Sequence, residues 1–197
     1  MNPRLATAIA NAKRGALSKS SIDLAIAKGQ GKSVSGAALE ALTIEAMLPA
    51  SVAAIIECQT DQKARVLQDI RYIINKHGGV VTPTNYLFEK KGRVVFQRKE
   101  GTSADDILDE AVEAGALDVD TNDDGQIVID TDPSDLSIVA QKLVDAFGFS
   151  IQRSSIIHVS RPETVVSLSD KDAQEVENVI NLLEEDPSVQ DVYINAV

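Results

Sequence analysis

RVVFQR (93–98), ADDILDEAVEAG (104–115), ALDVDT (116–121), QIVID (126–130), SDLSIVAQKLVDAFG (134–148) and SIQRSSIIHV (150–159) follow one another with little chain between them. The first, third, fourth and last read as strands, and the second and fifth carry apolar residues at helical spacing. The order is βαββαβ, the ferredoxin-like arrangement, closed on itself within about 65 residues. A further helix (170–185) and a last strand, VQDVYINAV (189–197), are surplus to that unit. Both are expected to return to whatever precedes it.

What precedes it has its own pattern. ALTIEAML (41–48) and SVAAIIECQ (51–59), separated by Pro49 and Ala50, predict an antiparallel strand pair. A helix over about 61–76 follows, with Ala64, Leu67, Ile70, Ile73 and Ile74 inward and Lys63, Arg65, Arg71 and Lys76 outward, and Gly78 and Gly79 stop it. Nearer the start, Asn2 and Pro3 read as a helix N-cap and first turn. Leu5, Ala8, Ile9, Ala12 and Ala16 carry that helix to about Leu17. Ser20 with Asp23 reads as a capping-box-like start for a second helix that ends at Gly29, and GQGKSVSGA (29–37) reads as a linker. The expected architecture is α+β in three parts: a helical domain over 1–34, an α+β domain over 35–92 plus 160–197, and a ferredoxin-like domain over 93–159 inserted in it. The helical part has few large apolar residues and is marginal by itself.

Charge divides the chain. Residues 1–100 hold 15 Lys+Arg against 8 Asp+Glu, while residues 101–197 hold 4 against 22. Overall the chain of 197 residues is acidic, at −11. Its first half alone is the kind of surface that gains affinity by releasing counterions from phosphate. The basic residues are Arg4, Lys13, Arg14, Lys19, Lys28 and Lys32, then Lys63, Arg65, Arg71 and Lys76, then Lys90, Lys91 and Arg93 around an expected tight turn at Gly92. These are the candidate nucleic-acid contacts, weighed against plain solvated helix faces. Only 7 residues are Phe or Tyr and there is no Trp, so stacking on an aromatic platform is disfavoured and contact is expected mainly to phosphate and shape.

Other chemistries fare worse. Asp120, Asn122, Asp124 and Gly125 match the start of a calcium loop, but the twelfth position is Thr131, without the closing carboxylate, and the flanks alternate as strands. A hairpin turn accounts for them better. GQGKS (29–33) resembles the end of a phosphate-binding loop, yet Ile26 stands where the first glycine belongs and a helix precedes it. His77 and His158 have no Cys or His at ligand spacing, and His77 beside Gly78 reads as a helix-end residue. No serine has the nucleophile-elbow context. Cys58, the single cysteine, sits in an apolar run and reads as a buried thiol, which fits a reducing compartment. No catalytic residue, metal site or cofactor is expected, and no stretch is long and apolar enough to span a bilayer.

NPRLATAIANAKRGALSKSSIDLAIAKG, IIECQTDQKARVLQDIRYIINKHGG, NYLFEKKGRVVF, EAGALDVDTNDDG and the terminal DVYIN are similar in order and spacing to the YebC/PmpR family. That group includes bacterial proteins described as transcriptional regulators and the mitochondrial translational activator of cytochrome c oxidase subunit one. The resemblance runs from about residue 2 to 195. It implies the same three domains, no enzymatic activity and a role in gene expression, with ribosome or RNA as partner in organellar members and DNA in the regulators. Family members open with a basic segment containing Gly-His-Ser-Lys-Trp. This sequence lacks it, so the helical domain is expected to be incomplete and the chain an N-terminally short member. The family's Gly-rich turn between the first two strands is replaced here by Ala46-Met47-Leu48-Pro49-Ala50.

The first expectation is a monomeric translational activator in the mitochondrial matrix, binding ribosome or RNA through residues 1–100. Its acidic domain would face protein or solvent, since a surface of that charge is repelled by phosphate within a Debye length of about 8 Å. A cytoplasmic DNA-binding transcriptional regulator is the alternative. It needs base-reading side chains at a helix N-terminus, where the second helix offers Ser20, Ser21 and Asp23. A protein-interaction module is the third reading.

Overall fold

The computed structural model describes residues 5, 9, 12–33, 36–99 and 101–197. The expected start at Asn2, Pro3 and Arg4 lies outside them. Residues 5, 9 and 12–14 are helical, as the spacing predicts. The chain forms two units: Met1–Thr84 with Ser167–Ile194, and Asn85–Val166 with Asn195–Val197.

In the first unit, helix α1 (Lys19–Gly29) is capped two residues earlier than expected. Ser18 Oγ accepts from Ser21 N at 3.1 Å, and Asp23 takes no part in the cap. Only Ile22 of α1 is buried. The 29–37 segment is tied back on itself among its described residues, with Lys32 bridging Ala38 and Leu39 N donating to Gly31 O at 2.7 Å. Strands β1 (Glu40–Leu48) and β2 (Val52–Thr60) form the expected hairpin, and Ala50 and Ser51 hold positive φ of 56° and 62° in its turn.

Helix α2 (Lys63–Lys76) buries Val66, Ile70 and Ile74, while Ala64, expected inward, is exposed. A short β3 (Val80–Val81) pairs with β1. Gly79 is a close approach: a Cβ there would lie 2.7 Å from Met47 O and 2.8 Å from Ile74 Cγ2.

The second unit begins earlier than the sequence suggests. Strand β4 runs Phe88–Phe96, so the expected boundary at 93 falls inside it. Gly92 is a mid-strand residue and not a turn. Its Cβ would meet Thr131 Oγ1 at 2.5 Å and Leu136 Cβ at 2.9 Å, so the glycine answers to packing. Helix α3 (Leu108–Ala114), β5 (Ala116–Thr121), β6 (Ile127–Thr131), α4 (Leu136–Phe147) and β7 (Ile151–Ser160) complete the βαββαβ order. The sheet order is β5-β6-β4-β7, antiparallel throughout, which is two interleaved split βαβ units. Val94, Phe96, Ile127 and Ile129 pack against Ile107, Ala111, Val139 and Leu143 of the helical layer. The Asp120–Gly125 stretch is the expected hairpin: Gly125 N donates to Asn122 O at 2.8 Å, and Gly125 has φ 71°.

The chain then returns. Helix α5 (Asp170–Glu184), capped by Ser169, packs on α2 and on the β1–β2 turn. Strand β8 (Val189–Ile194) pairs antiparallel with β2, giving the first unit the sheet order β3-β1-β2-β8. This return redistributes charge. The first unit holds 11 Lys+Arg against 14 Asp+Glu and the second 8 against 16, so the split along the sequence is not a basic unit beside an acidic one. The eight carboxylates of 167–194 come back to the first unit with α5 and β8.

Candidate nucleic-acid interface

The thirteen basic candidates occupy different environments. Arg4 lies outside the described residues. Lys13, Arg14 and Lys19 are exposed around the start of α1. Lys28 Nζ donates to Pro187 O, and Lys28, Lys32 and Arg65 line one cleft of about 650 Å³. Asp61, Asp69 and Asp186 line it too, so its cations and carboxylates balance.

On α2, Lys63 Nζ lies 2.6 Å from Glu40 Oε2, and Arg65 Nε lies 3.4 Å from Asp69 Oδ2. Both are surface pairs, of the kind that hold their partners weakly. Arg71 and Lys76 are exposed and form no ion pair among the described residues. The helix therefore ends on two cations outside any ion pair among the described residues, between Ile70 and Gly79 where there is no carboxylate. Lys76 Nζ sits 5.8 Å from the centre of the Tyr72 ring, within cation–π range. His77 closes the helix, its Nδ1 donating to Ile73 O at 2.8 Å.

Lys90, Lys91 and Arg93 belong to the second unit, on β4, where alternation puts Lys90 on the face opposite Lys91 and Arg93. Arg93 is committed. Its Nε and Nη2 donate to Asp130 Oδ1 and Oδ2 at 2.6 and 2.8 Å, a bidentate pair whose carboxylate is 8% exposed. Arg93, Asp130 and Asp118 stand in register across β4, β6 and β5. Asp130 stands between the other two, and the guanidinium on its far side offsets the repulsion between the neighbouring carboxylates of Asp130 and Asp118. The hydrogen bond to Asp130 is the largest cause of a raised Arg93 pKa, with Asp130, Asp118 and Asp120 adding to it. Such an arginine is part of the sheet's own electrostatics and is not free to take a phosphate.

Cys58 is buried as expected, and burial above all, with Asp186 and Glu57, pushes its thiol up to about 11. It is a packing residue, not a nucleophile. At the start of the helical segment before α3, Ser103 N and Oγ donate to Asp106 Oδ2, which holds that exposed carboxyl below its usual range. Among the described residues no group of His, Cys, Asp and Glu could hold a metal ion, and no helix is long and apolar enough to cross a membrane.

Tyr72 was not among the candidates, and it is 65% exposed. The helix period could have found it. At about 100° per residue it lies some 200° from buried Ile70, on the face shared with Arg65 and Lys76.

Residues 39–196 match the family model described as the second and third domain of TACO1/YebC. A probable transcriptional regulatory protein of Tolumonas auensis is 37% identical over 98% of this chain and 77% of its own length. One of Ralstonia nicotianae is 35% identical over 100% of this chain and 80% of its own. In the crystal structure of a conserved hypothetical protein from Aquifex aeolicus, 32% identical, the same fold covers 100% of this chain and 80% of that one at a TM-score of 0.72. The matched span, the two antiparallel sheets and the extent of these alignments agree: this chain belongs to the TACO1/YebC family.

Proposed function

We propose that this chain is a non-catalytic regulator of gene expression that binds nucleic acid through its first unit, with the exposed face of α2 as the principal contact. The observation that carries this reading is the pair Arg71 and Lys76, exposed and outside any ion pair among the described residues. The relatives' names put transcription first, and their bacterial sources favour action in the cytoplasm over the mitochondrial matrix. Duplex DNA is therefore the first ligand to test. Binding should weaken linearly with log salt concentration, and Arg71→Glu with Lys76→Glu should flatten the slope by about 2, since each phosphate contact contributes roughly 0.9. An unchanged slope would remove α2 from the interface.

Action on RNA or the ribosome is the second reading. It is favoured by the first turn of α1, which presents Lys19, Ser20 and Ser21 and no Arg, Asn or Gln to read base edges. Sedimentation with ribosomes from the source cell separates the two, because co-sedimentation abolished by the same double substitution belongs to translation. The acidic second unit, at 8 Lys+Arg against 16 Asp+Glu, suits a basic protein partner and is kept clear of phosphate by its own charge.

A further inference from the structure

We propose that Tyr72 is the base-stacking residue of the α2 face, and that this face, which can meet the phosphates of any nucleic acid, holds unpaired bases more tightly than a duplex. This rests on the reading of α2 as the nucleic-acid contact. The aromatic residues of the chain span the range of burial, with Phe147 and Tyr193 half-buried. Phe88, Phe96 and Phe149 are buried, whereas Tyr72 and Tyr86 are 65% and 67% exposed. In a chain so poor in rings, one left in water in the third turn of a well-packed helix forgoes burial that the core could have used.

The surroundings of the two exposed rings differ. Tyr86 lies among Asn85, Leu87 and Pro83, with no cation beside it in sequence until Lys90. Tyr72 follows Arg71 directly and has Lys76 one turn on, Nζ 5.8 Å from its ring centre, with Asn75 also exposed. The helix sets the ring's attachment point on its outer face, and a tyrosine has only two χ angles to lose on binding. A π-face with Lys76 and the Asn75 amide one turn on, and the Arg65–Asp69 pair on the turns before it, fits a nucleobase whose phosphate meets Lys76. In a duplex the bases are stacked inside and out of reach, so the chemistry points to single strands or loops.

The test uses the full chain and labelled 12-nucleotide ligands of three kinds: single-stranded RNA, single-stranded DNA and duplex DNA, followed by fluorescence anisotropy at one salt concentration. Tyr72→Ala should weaken both single strands by about tenfold and the duplex by less than twofold, with Tyr72→Phe close to the parent. The tighter of the two single strands identifies the source of the unpaired bases. Tyr72→Gln, which keeps a polar helix surface, guards against a folding defect and should behave as the alanine variant does. Equal losses on all three ligands, or none on the single strands, overturn the stacking role. If Arg71→Glu with Lys76→Glu still weakens binding in that case, the α2 contact itself survives. No binding of any ligand by the parent chain overturns both.

Discussion

The two units are built alike and use their cations in opposite ways. Each is a four-stranded antiparallel sheet with helices packed against it. In the second unit the well-placed arginine stands on a central strand and is locked to Asp130 in register with Asp118. In the first, the cations outside any ion pair among the described residues stand on the outer face of α2. A cation on a sheet has fixed neighbours across two ladders, so the fold can balance it; Arg71 and Lys76 on an exposed helix face have only their own turns beside them, where no carboxylate stands between Ile70 and Gly79. Position in the fold, more than local net charge, decides which basic residues can meet a phosphate.

The largest expected effect breaks the locked pair. Asp130→Ala leaves a half-buried guanidinium facing Asp118 alone and should destabilise the protein by about 2 kcal/mol, below the value for a fully buried pair because Arg93 is 39% exposed. Removing the carboxylate that the first residue of α2, Lys63, pairs with on β1, Glu40→Ala, should change stability by less than about 0.5 kcal/mol. Urea midpoints of the two variants measure the contrast, and equal shifts would erase it.

Next in size is the pair of close-packed glycines, one per unit. Gly92→Ala drives a methyl into Thr131 Oγ1 and Leu136, and Gly79→Ala drives one into Met47 O and Ile74. Each should cost about 2 kcal/mol by overpacking, read from thermal denaturation.

A smaller effect is confined to the first unit. The Cys58 thiol sits at about 11 when folded, above its unfolded value, so the folded chain holds a proton that the unfolded chain gives up as pH rises. Its contribution is intact below the ordinary thiol value of 9.0 and shrinks as pH climbs toward 11, a loss on the order of 1 kcal/mol by pH 10. Cys58→Ala should flatten that part of the stability profile, and native thiol labelling at pH 8 should be slow. Smallest is the α1 cap: Ser18→Ala should cost about 1 kcal/mol of helix stability, and Asp23→Ala nearly nothing, as circular dichroism of the variants would report.

Much of this architecture was legible in the sequence. The βαββαβ order, both hairpins and the surplus helix and strand follow from periodicity and turn residues, because those signals are local. Gly92 shows where locality ends. Flanked by lysines it reads as a turn, and the side chain that makes glycine necessary, Leu136, lies 44 positions away. Ser18 and Ser20 are equally good caps by composition, and only the path of the chain chooses. The same holds for charge. No window along the sequence shows that α5 and β8 bring acid back beside α2, or that Arg93 has Asp130 opposite it. Tyr72 is legible in principle, since Ile70 and Ile74 fix the buried face and the helical period puts residue 72 away from it, whereas a bare count of aromatics carries no position.

The pairing of β8 with β2 has a consequence in time. A ribosome making this chain releases the whole of the βαββαβ unit before residues 189–194 appear, so that contiguous sheet can close early. The first unit's central strand must wait, with one edge unpaired, until residues 189–194 have been synthesised. Closure across more than a hundred residues is slow to find, and an apolar strand with an open edge is the exposed species during that interval. The half of the molecule translated first is thus the half completed last.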